Sequence, residues 1–304
     1  MARRPVPGRL VPGWLVPVLL VIASVVGVAG CTAPPTSAAH QVHGSAEPGF
    51  GHVHGVELNP ADGSLYAGTH YGVFRLEASG PVRVSQQHQD TMGFTVVGPD
   101  HFLASGHPGV GERGPAHLGL TASRDGGRTW SSVALAGQAD FHALSASGVT
   151  VYGFDGLTAA VLRSDDSGQH WQRGASMAVS DLDVDPRNPM RVVAATRDGL
   201  TESLDGGITF TALTAQPPRP LALIDHVASA GGADPKPVLV GVDAAGTVWS
   251  LGTGGWQSAG SIPGPPTAFT VIGPDRYASA TPSEVFASED AGRSWVPLAR
   301  LDGS

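Results

Sequence analysis

Two histidines stand two residues apart in the stretch GHVHGVELNP, at residues 51–60. The residues around them have the pattern of a β-strand, in which side chains at i and i+2 point to the same side roughly 7 Å apart. Imidazoles so placed can bind one metal ion if a neighbouring segment supplies further ligands. Cys31 is the only cysteine, so a cysteine cluster is excluded. The nitrogen and oxygen ligands that remain suit Zn(II) or Cu(II).

A repeated motif indicates which elements position these histidines. The pattern S-x-D-x-G-x-x-aromatic occurs four times, as SRDGGRTW (123–130), SDDSGQHW (164–171), SLDGGITF (203–210) and SEDAGRSW (288–295). Their starts are 41, 39 and 85 residues apart, and a fixed period of this length is typical of propellers and solenoids. Because 85 is close to two of the shorter steps, a degenerate copy is predicted at GVDAAGTVWS (241–250).

The motif has the chemistry of a hairpin turn held by its own side chains. A carboxylate can accept hydrogen bonds from turn amides, glycine can adopt positive φ, and the aromatic ring can pack beneath the turn. A residue repeated at every turn is scaffolding rather than catalytic machinery. We therefore predict structural roles for four aspartates: Asp125, Asp166, Asp205 and Asp290.

The motif resembles the BNR or Asp-box repeat, which is found in sialidases, sortilin-type propellers and photosystem assembly factors. Through its period the resemblance covers roughly residues 50–300. It implies an all-β fold, a β-propeller. A period of roughly 42 residues over about 250 residues then predicts a six-bladed β-propeller with four antiparallel strands in each blade. Seven blades are disfavoured, because a further blade would need an N-terminal unit that residues 31–49 do not supply.

In propellers with this repeat the motif occupies the turn between the third and fourth strands. Connections between blades and loops between second and third strands then lie on the opposite face, where the resemblance places ligand sites. Six first strands are predicted, at 52–60, 91–99, 141–148, 180–186, 220–227 and 267–274. Seven of the twelve histidines map to that opposite face, all from the first three blades, with two aspartates beside them. The candidate metal ligands are His52, His54, His70, His88, Asp90, His107, His117, Asp140 and His142.

Three interpretations of these histidines remain open: a metal site, a polar ligand pocket without metal, and structural residues that bond loop carbonyls. The resemblance to sialidases adds a glycoside hydrolase, which needs arginines, a tyrosine nucleophile and carboxyl groups. Its weak catalytic candidates are Tyr71, Glu284, Arg113, Arg197 and Arg219. A non-enzymatic assembly or interaction scaffold with a protein or glycan ligand is the third class of function, and we expect a monomer.

The N-terminal residues predict where the protein works. Three arginines precede the apolar run WLVPVLLVIASVVGVAG (14–30), which has the composition of a signal peptide over residues 1–30. Its end, VAGC (28–31), resembles the lipobox of bacterial lipoproteins, in which the cysteine is lipidated. Residues 31–49 are rich in Pro, Ala and Ser, which is typical of a flexible tether, and residues 50–304 form the propeller. We thus expect a lipid anchor on Cys31 and a location on the extracytoplasmic face of the cell membrane.

The charge of the predicted mature chain excludes one class of partner. Loss of residues 1–30 removes three arginines and leaves 15 basic against 26 acidic residues, a formal net charge of −11. Nucleic acids and anionic lipid surfaces both attract clustered Lys and Arg. Binding to nucleic acid is therefore not expected, and membrane attachment is assigned to the lipid.

Overall fold

The computed structural model describes residues 49–85, 87–227 and 238–301. These contain 24 β-strands in six sheets, and each sheet consists of four consecutive antiparallel strands. The prediction of a six-bladed β-propeller is confirmed. The predicted signal peptide, Cys31 and nearly all of the tether lie outside the described residues. Within the described residues, no helix is long and apolar enough to cross a membrane.

The first strands of the blades follow the six predicted positions to within a few residues. They are β1 Val53–Leu58, β5 Asp90–Gly98, β9 Phe141–Ser147, β13 Asp181–Val184, β17 Leu221–Val227 and β21 Ala268–Val271. Each contacts the first strand of the next blade, and β21 contacts β1. The six first strands therefore form a closed inner ring.

The remaining strands of each blade extend outward in chain order. The second strands are β2 Leu65–Thr69, β6 His101–His107, β10 Thr150–Asp155, β14 Val192–Thr196, β18 Val238–Asp243 and β22 Tyr277–Ala280. The third strands are β3 Gly72–Glu77, β7 Leu120–Ser123, β11 Ala160–Ser164, β15 Gly199–Ser203, β19 Thr247–Gly252 and β23 Glu284–Ser288. The fourth strands are β4 Gly80–Arg83, β8 Ser131–Ala134, β12 Gln172–Ser176, β16 Thr211–Ala212, β20 Gly255–Ser261 and β24 Val296–Arg300.

The hydrophobic core lies between blades rather than within them. Six apolar clusters occupy the six interfaces, and the cluster between the last and first blades includes Val53, Phe74 and Val285. A fully buried side chain such as Phe102 contributes roughly 1.5–3 kcal/mol relative to an exposed one. Because β1 and β21 pack directly together, the ring closes by side-chain packing, without exchange of a strand between the first and last blades.

The four copies of the S-x-D-x-G-x-x-aromatic motif, here called the repeat turns, connect third to fourth strands. In one of them Ser203 Oγ donates to Asp205 Oδ1 at 2.7 Å and accepts from the Gly207 N–H at 2.8 Å. The Asp205 oxygens also accept the Thr209 N–H at 2.9 Å and the Thr209 hydroxyl at 2.6 Å. Gly207 has φ +84°, the left-handed region that favours glycine. Equivalent carboxylate bonds are made by Asp125, Asp166 and Asp290.

The predicted degenerate copy at 241–250 is wrong as a repeat turn. Asp243 ends β18 and Thr247 begins β19, so this turn joins a second strand to a third. The Asp243 carboxylate accepts the N–H groups of Ala245 and Thr247, each at 3.0 Å, and the Trp249 Nε1–H at 3.2 Å. A similar set of turn hydrogen bonds therefore forms at the opposite end of the blade. Sequence spacing alone did not distinguish a turn at that end from a repeat turn.

Candidate metal centre

His52, His54 and His70 lie close together on the first blade. His54 is in β1, His52 directly precedes that strand, and His70 follows β2. The β1–β2 pairing is irregular between Val53 and Gly55, and the ring centroids of His52 and His54 are 4.6 Å apart. The ring of His70 lies 4.8 Å from that of His54 and 5.7 Å from that of His52. Three imidazoles therefore share one corner of the propeller.

The second blade adds a carboxylate to this corner and completes the first ligand group. Nitrogens of His54 and His70 and an oxygen of Asp90 all lie within 4.8 Å of one another. His70 Nε2 is 4.0 Å from Asp90 Oδ1. His54 Nε2 and Asp90 Oδ1 are both buried without a hydrogen-bond partner among the described residues. Unpaired buried polar atoms are uncommon in folded proteins, and a cation would satisfy both atoms.

Burial and neighbouring charges lower the pKa values of two histidines in this corner. Burial, followed by the charges of His52 and His70, lowers the pKa of His54 to about 3. Burial also lowers the pKa of His52, with the charge of His70 acting in the same direction. A metal binds the neutral imidazole. The ring of His54 is therefore in its ligand form at neutral pH.

A second ligand group lies between the second and third blades. Nitrogens of His107 and His117 and an oxygen of Asp140 lie within 4.8 Å of one another. Asp140 Oδ2 is 3.3 Å from His107 Nε2 and 3.7 Å from His117 Nδ1. His117 Nδ1 and Asp140 Oδ1 are buried without a hydrogen-bond partner among the described residues. This group has the same composition as the first, two histidines and one aspartate.

The long loop between β6 and β7 positions His117 in the second group. The Leu118 N–H donates to Gly106 O at 2.8 Å, and the Gly137 N–H donates to His117 O at 2.8 Å. Glu112 fixes the loop, because its carboxylate accepts the His88 N–H at 2.8 Å and the Gly109 N–H at 3.1 Å. The loop is therefore tied to β6 of its own blade and to the connecting segments on either side of that blade.

His142 and Asp155 extend the second group. His142 Nε2 lies 3.0 Å from Asp140 Oδ2, and this hydrogen bond, against the opposing effect of burial, raises the pKa of His142. Burial acts to raise the pKa of Asp140, but its contact with His142 and the charges of His107 and His117 outweigh it, and the pKa is lowered. The Asp140 N–H donates to Asp155 Oδ1 at 2.9 Å. Asp140 is thus held as a charged carboxylate among three histidines.

Eight of the nine predicted metal-ligand candidates form this contiguous cluster, which we call the histidine face. Its members are His52, His54, His70, Asp90, His107, His117, Asp140 and His142. His88 is the exception. It lies in the connection to the second blade beside Gly109, and it belongs to neither ligand group.

The structure does not assemble the weak catalytic candidates. Tyr71 lies edge-on to His70 with ring centroids 6.5 Å apart, and Glu284 pairs with Arg300 at 3.6 Å. Arg197 pairs with its neighbour Asp198, while Arg113 and Arg219 are exposed. In the part of the chain that the structure describes, no hydrogen bond or ion pair joins any two of these five candidates. The pocket implied by the sialidase resemblance is therefore not seen around them.

A cavity of about 420 Å³ on the inner ring was missed by sequence reasoning. Its lining includes His54 and His142 at the histidine face and four carboxyl groups on first strands: Glu57, Asp181, Asp183 and Asp225. Burial, followed by the charge of Asp183, raises the pKa of Glu57 to about 8. Burial also raises the pKa of Asp181 to about 7 and that of Asp225 well above its ordinary value.

These carboxyl groups also connect neighbouring blades. Asp181 Oδ2 accepts the Ile224 N–H at 2.8 Å, and Asp225 Oδ2 accepts the Val271 N–H at 2.7 Å. The sequence did carry a signal for them, because three of the predicted first strands contain acidic residues. These are Asp181 and Asp183 in SDLDVDP, Asp225 in PLALIDHV and Glu57 in HVHGVELNP. Because first strands form the inner ring, acidic residues on them converge even when they are far apart in sequence.

Comparison with solved structures supports the fold. A GH74 enzyme of Niastella koreensis superposes with a TM-score of 0.59 at 17% identity, covering 84% of this chain and 46% of that one. A GH74 xyloglucanase of Xanthomonas campestris gives 0.52 at 22% identity, covering 83% and 46%. YCF48 bound to D1 peptide gives 0.52 at 14% identity, covering 82% and 81%.

These likenesses support one conclusion about the class of protein. The chain is a β-propeller, and it spans less than half the length of the two GH74 enzymes. At identities below 25% they show the fold alone. The sequence matches no protein-family model and no curated protein.

Proposed function

We propose that this chain is a metal-binding β-propeller whose histidine face takes a divalent transition-metal ion, Zn(II) or Cu(II). One observation carries the proposal. The histidine face contains two groups, each of two histidines and one aspartate. Within each group the three ligand atoms lie within 4.8 Å of one another. In both groups a histidine nitrogen and a carboxylate oxygen are buried without a hydrogen-bond partner among the described residues.

The chemistry of the donors supports Zn(II) or Cu(II) rather than Mg(II) or Ca(II). Imidazole suits zinc and copper, whereas magnesium and calcium prefer oxygen-rich sites. Three protein ligands leave a coordination position open for water or a further ligand. His54 and His142 also line the central cavity, so a molecule in the cavity would lie beside the bound metal.

We also propose the setting in which the propeller works. The four repeat turns support membership of the BNR or Asp-box repeat propellers. In each motif the Ser hydroxyl donates to the Asp carboxylate and accepts the Gly N–H. The VAGC sequence at 28–31 supports lipidation of Cys31 and attachment to the extracytoplasmic face of the cell membrane. The metal-binding face would then be presented outside the cytoplasm, on a monomer without nucleic-acid partners.

Equilibrium dialysis tests the metal proposal. The chain from residue 32 onward contains all six blades and would be purified without a His-tag or chelator, then dialysed against Zn²⁺ or Cu²⁺. We expect near-stoichiometric retention, with reduced retention in His54→Ala plus His70→Ala. His170→Ala is the matched control, because His170 also pairs with an aspartate but lies in a repeat turn. Equal retention by the wild type and a chain lacking all six group ligands would overturn the proposal.

A glycoside hydrolase is the second candidate function, and the central cavity favours it. Glycoside hydrolysis uses two carboxyl groups, and the acid has a raised pKa. The cavity holds Glu57 and Asp181 with pKa values of about 8 and about 7. Turnover of a panel of aryl glycosides that is lost in Asp181→Asn, but kept in Asp198→Asn, would support this function. If the protein neither retains Zn²⁺ or Cu²⁺ nor turns over a glycoside, an interaction scaffold becomes the better interpretation. Capture of a protein partner would then test it.

A further inference from the structure

His107 contacts both ligand groups through its two ring nitrogens. Nδ1 lies 3.6 Å from Asp90 Oδ2, and Nε2 lies 3.3 Å from Asp140 Oδ2. The other oxygen of Asp90 belongs to the first group, 4.0 Å from His70 Nε2. A continuous chain of polar atoms therefore runs from the first group through Asp90 and His107 to Asp140.

We infer that the histidine face binds two metal ions at adjacent sites, and that Asp90 couples them as a ligand of one and the positioning residue of the other. This inference rests on the proposed function. The first site uses His54, His70 and Asp90 Oδ1, and the second uses His107, His117 and Asp140. The groups share no residue, and each has its own unpartnered buried nitrogen and oxygen. Asp90 and Asp140 face different ring nitrogens of His107, so the two sets extend from opposite sides of this imidazole.

The role of Asp90 at the second site follows from the chemistry of imidazole. A neutral ring has one nitrogen with a proton and one with a lone pair. When Nε2 of His107 binds a metal beside Asp140, Nδ1 must carry the proton. It faces Asp90 Oδ2 at 3.6 Å, so the two atoms need to approach by a few tenths of an ångström to form a hydrogen bond. A carboxylate that accepts this proton fixes the tautomer and the orientation of a metal-binding histidine. Loss of such an outer partner typically weakens metal binding by about 10- to 100-fold.

The two roles predict an asymmetric set of variants. The wild-type chain should retain two Zn²⁺ ions. His54→Ala plus His70→Ala should retain one, at the second site, and His117→Ala should retain one, at the first. Asp90→Asn should lose the first ion and also bind the second about 10- to 100-fold more weakly. His170→Ala, as the control, should retain both ions with unchanged affinity.

The experiment is a Zn²⁺ titration against a competing chelator, followed by elemental analysis of each variant. Unfolding temperatures without metal check that every variant is folded. If Asp90→Asn does not fold, Co²⁺ absorption of the wild type supplies the test. Coupling predicts that the spectrum with two ions differs from the sum of the spectra of the two single-site variants.

Each outcome separates the inference from the proposed function. If the wild type binds a single ion, and if both the His54→Ala plus His70→Ala variant and the His117→Ala variant lose it, the two-site inference is overturned. Metal binding itself is left in place. Unchanged affinity of the second ion in Asp90→Asn, or additive Co²⁺ spectra, overturns the coupling. No retained ion in the wild type overturns the proposed function itself.

Discussion

Asp205 in a repeat turn and Asp90 on the histidine face are both carboxylates at the end of a strand, and they differ in what their oxygens contact. The oxygens of Asp205 accept hydrogen bonds from Ser203, Ile208 and Thr209 within its own turn. Asp90 Oδ1 is buried and has no hydrogen-bond partner among the described residues. The two oxygens of Asp90 face histidines of two different blades, His70 of the first at 4.0 Å and His107 of the second at 3.6 Å.

The difference contrasts a carboxylate that is satisfied within its own turn with one that keeps an unpartnered oxygen. Hydrogen bonds from the Thr209 hydroxyl and N–H lower the pKa of Asp205 to about 2, and equivalent bonds from Ser294 do the same for Asp290. These carboxylates are fully bonded within the turn and have little capacity for a ligand. On the histidine face, by contrast, Asp90 Oδ1 and Asp140 Oδ1 are buried and have no hydrogen-bond partner among the described residues, so these oxygens keep the capacity to bind a ligand.

The largest expected effect is stabilisation by metal. Zn²⁺ at about 1,000 times its dissociation constant should raise the free energy of unfolding by about 4 kcal/mol per site, which is several degrees in unfolding temperature for a chain of this size. The His54→Ala plus His70→Ala variant should lose much of this gain, and His170→Ala should keep it. Thermal unfolding with and without Zn²⁺ measures both. An equal shift in all three proteins would contradict specific binding at the histidine face.

The carboxyl groups of the central cavity should make stability fall as pH rises. Glu57 and Asp181 have pKa values of about 8 and about 7 in the folded chain, above ordinary values near 4. The unfolded chain therefore loses its protons first, and the stabilisation present below about pH 4 is lost as pH rises towards about 8. Metal-free wild type should unfold at a lower temperature at pH 8 than at pH 5. Glu57→Gln should flatten this dependence, and a slope unchanged by that variant would contradict the assignment.

Removal of one repeat-turn hydroxyl should lower stability without affecting metal binding. Ser203→Ala leaves the buried Gly207 N–H without its acceptor and removes a donor to Asp205. An unsatisfied buried donor costs about 1–3 kcal/mol. Urea unfolding should show that loss, while Zn²⁺ affinity stays unchanged. Ser79→Ala, in an exposed turn of the first blade, is the matched control and should behave as wild type.

The smallest effect is expected from an exposed arginine of the hydrolase interpretation. Arg197 is almost fully exposed, and among the described residues its one ion pair is with the similarly exposed Asp198. Surface substitutions of this kind usually change stability by less than about 0.5 kcal/mol, so Arg197→Ala should match wild type in unfolding and Zn²⁺ retention. A clear loss of either would place Arg197 in a site that the structure does not show.

Much of the fold was predictable because its signals are local and periodic. The S-x-D-x-G-x-x-aromatic motif fixes a turn by its own side chains, and its spacing predicts six blades. The first strands could also be predicted, because aligning the repeats places a strand start at the same point of each blade, such as His52 in the first and His142 in the third. The turn at Asp243 was misassigned because a similar set of local bonds forms between a different pair of strands.

The candidate site was predicted as a set of residues but not as two groups. The blade order indicates that His70 and Asp90 lie on one face, whereas their side-chain approach depends on packing between blades. His88 shares the expected position but packs against Gly109 outside both groups. The cavity carboxyl groups were not predicted as a site because Glu57 and Asp225 meet only after the ring closes.

Metal binding is best tested by elemental analysis of the untagged chain from residue 32 onward, purified without chelator. We expect zinc or copper in near-stoichiometric amount, approaching two ions per chain after loading with Zn²⁺ and dialysis. Protein that carries no metal after the same loading would contradict metal binding at the histidine face. The buried histidine and aspartate atoms of the histidine face would then serve the structure or a metal-free ligand.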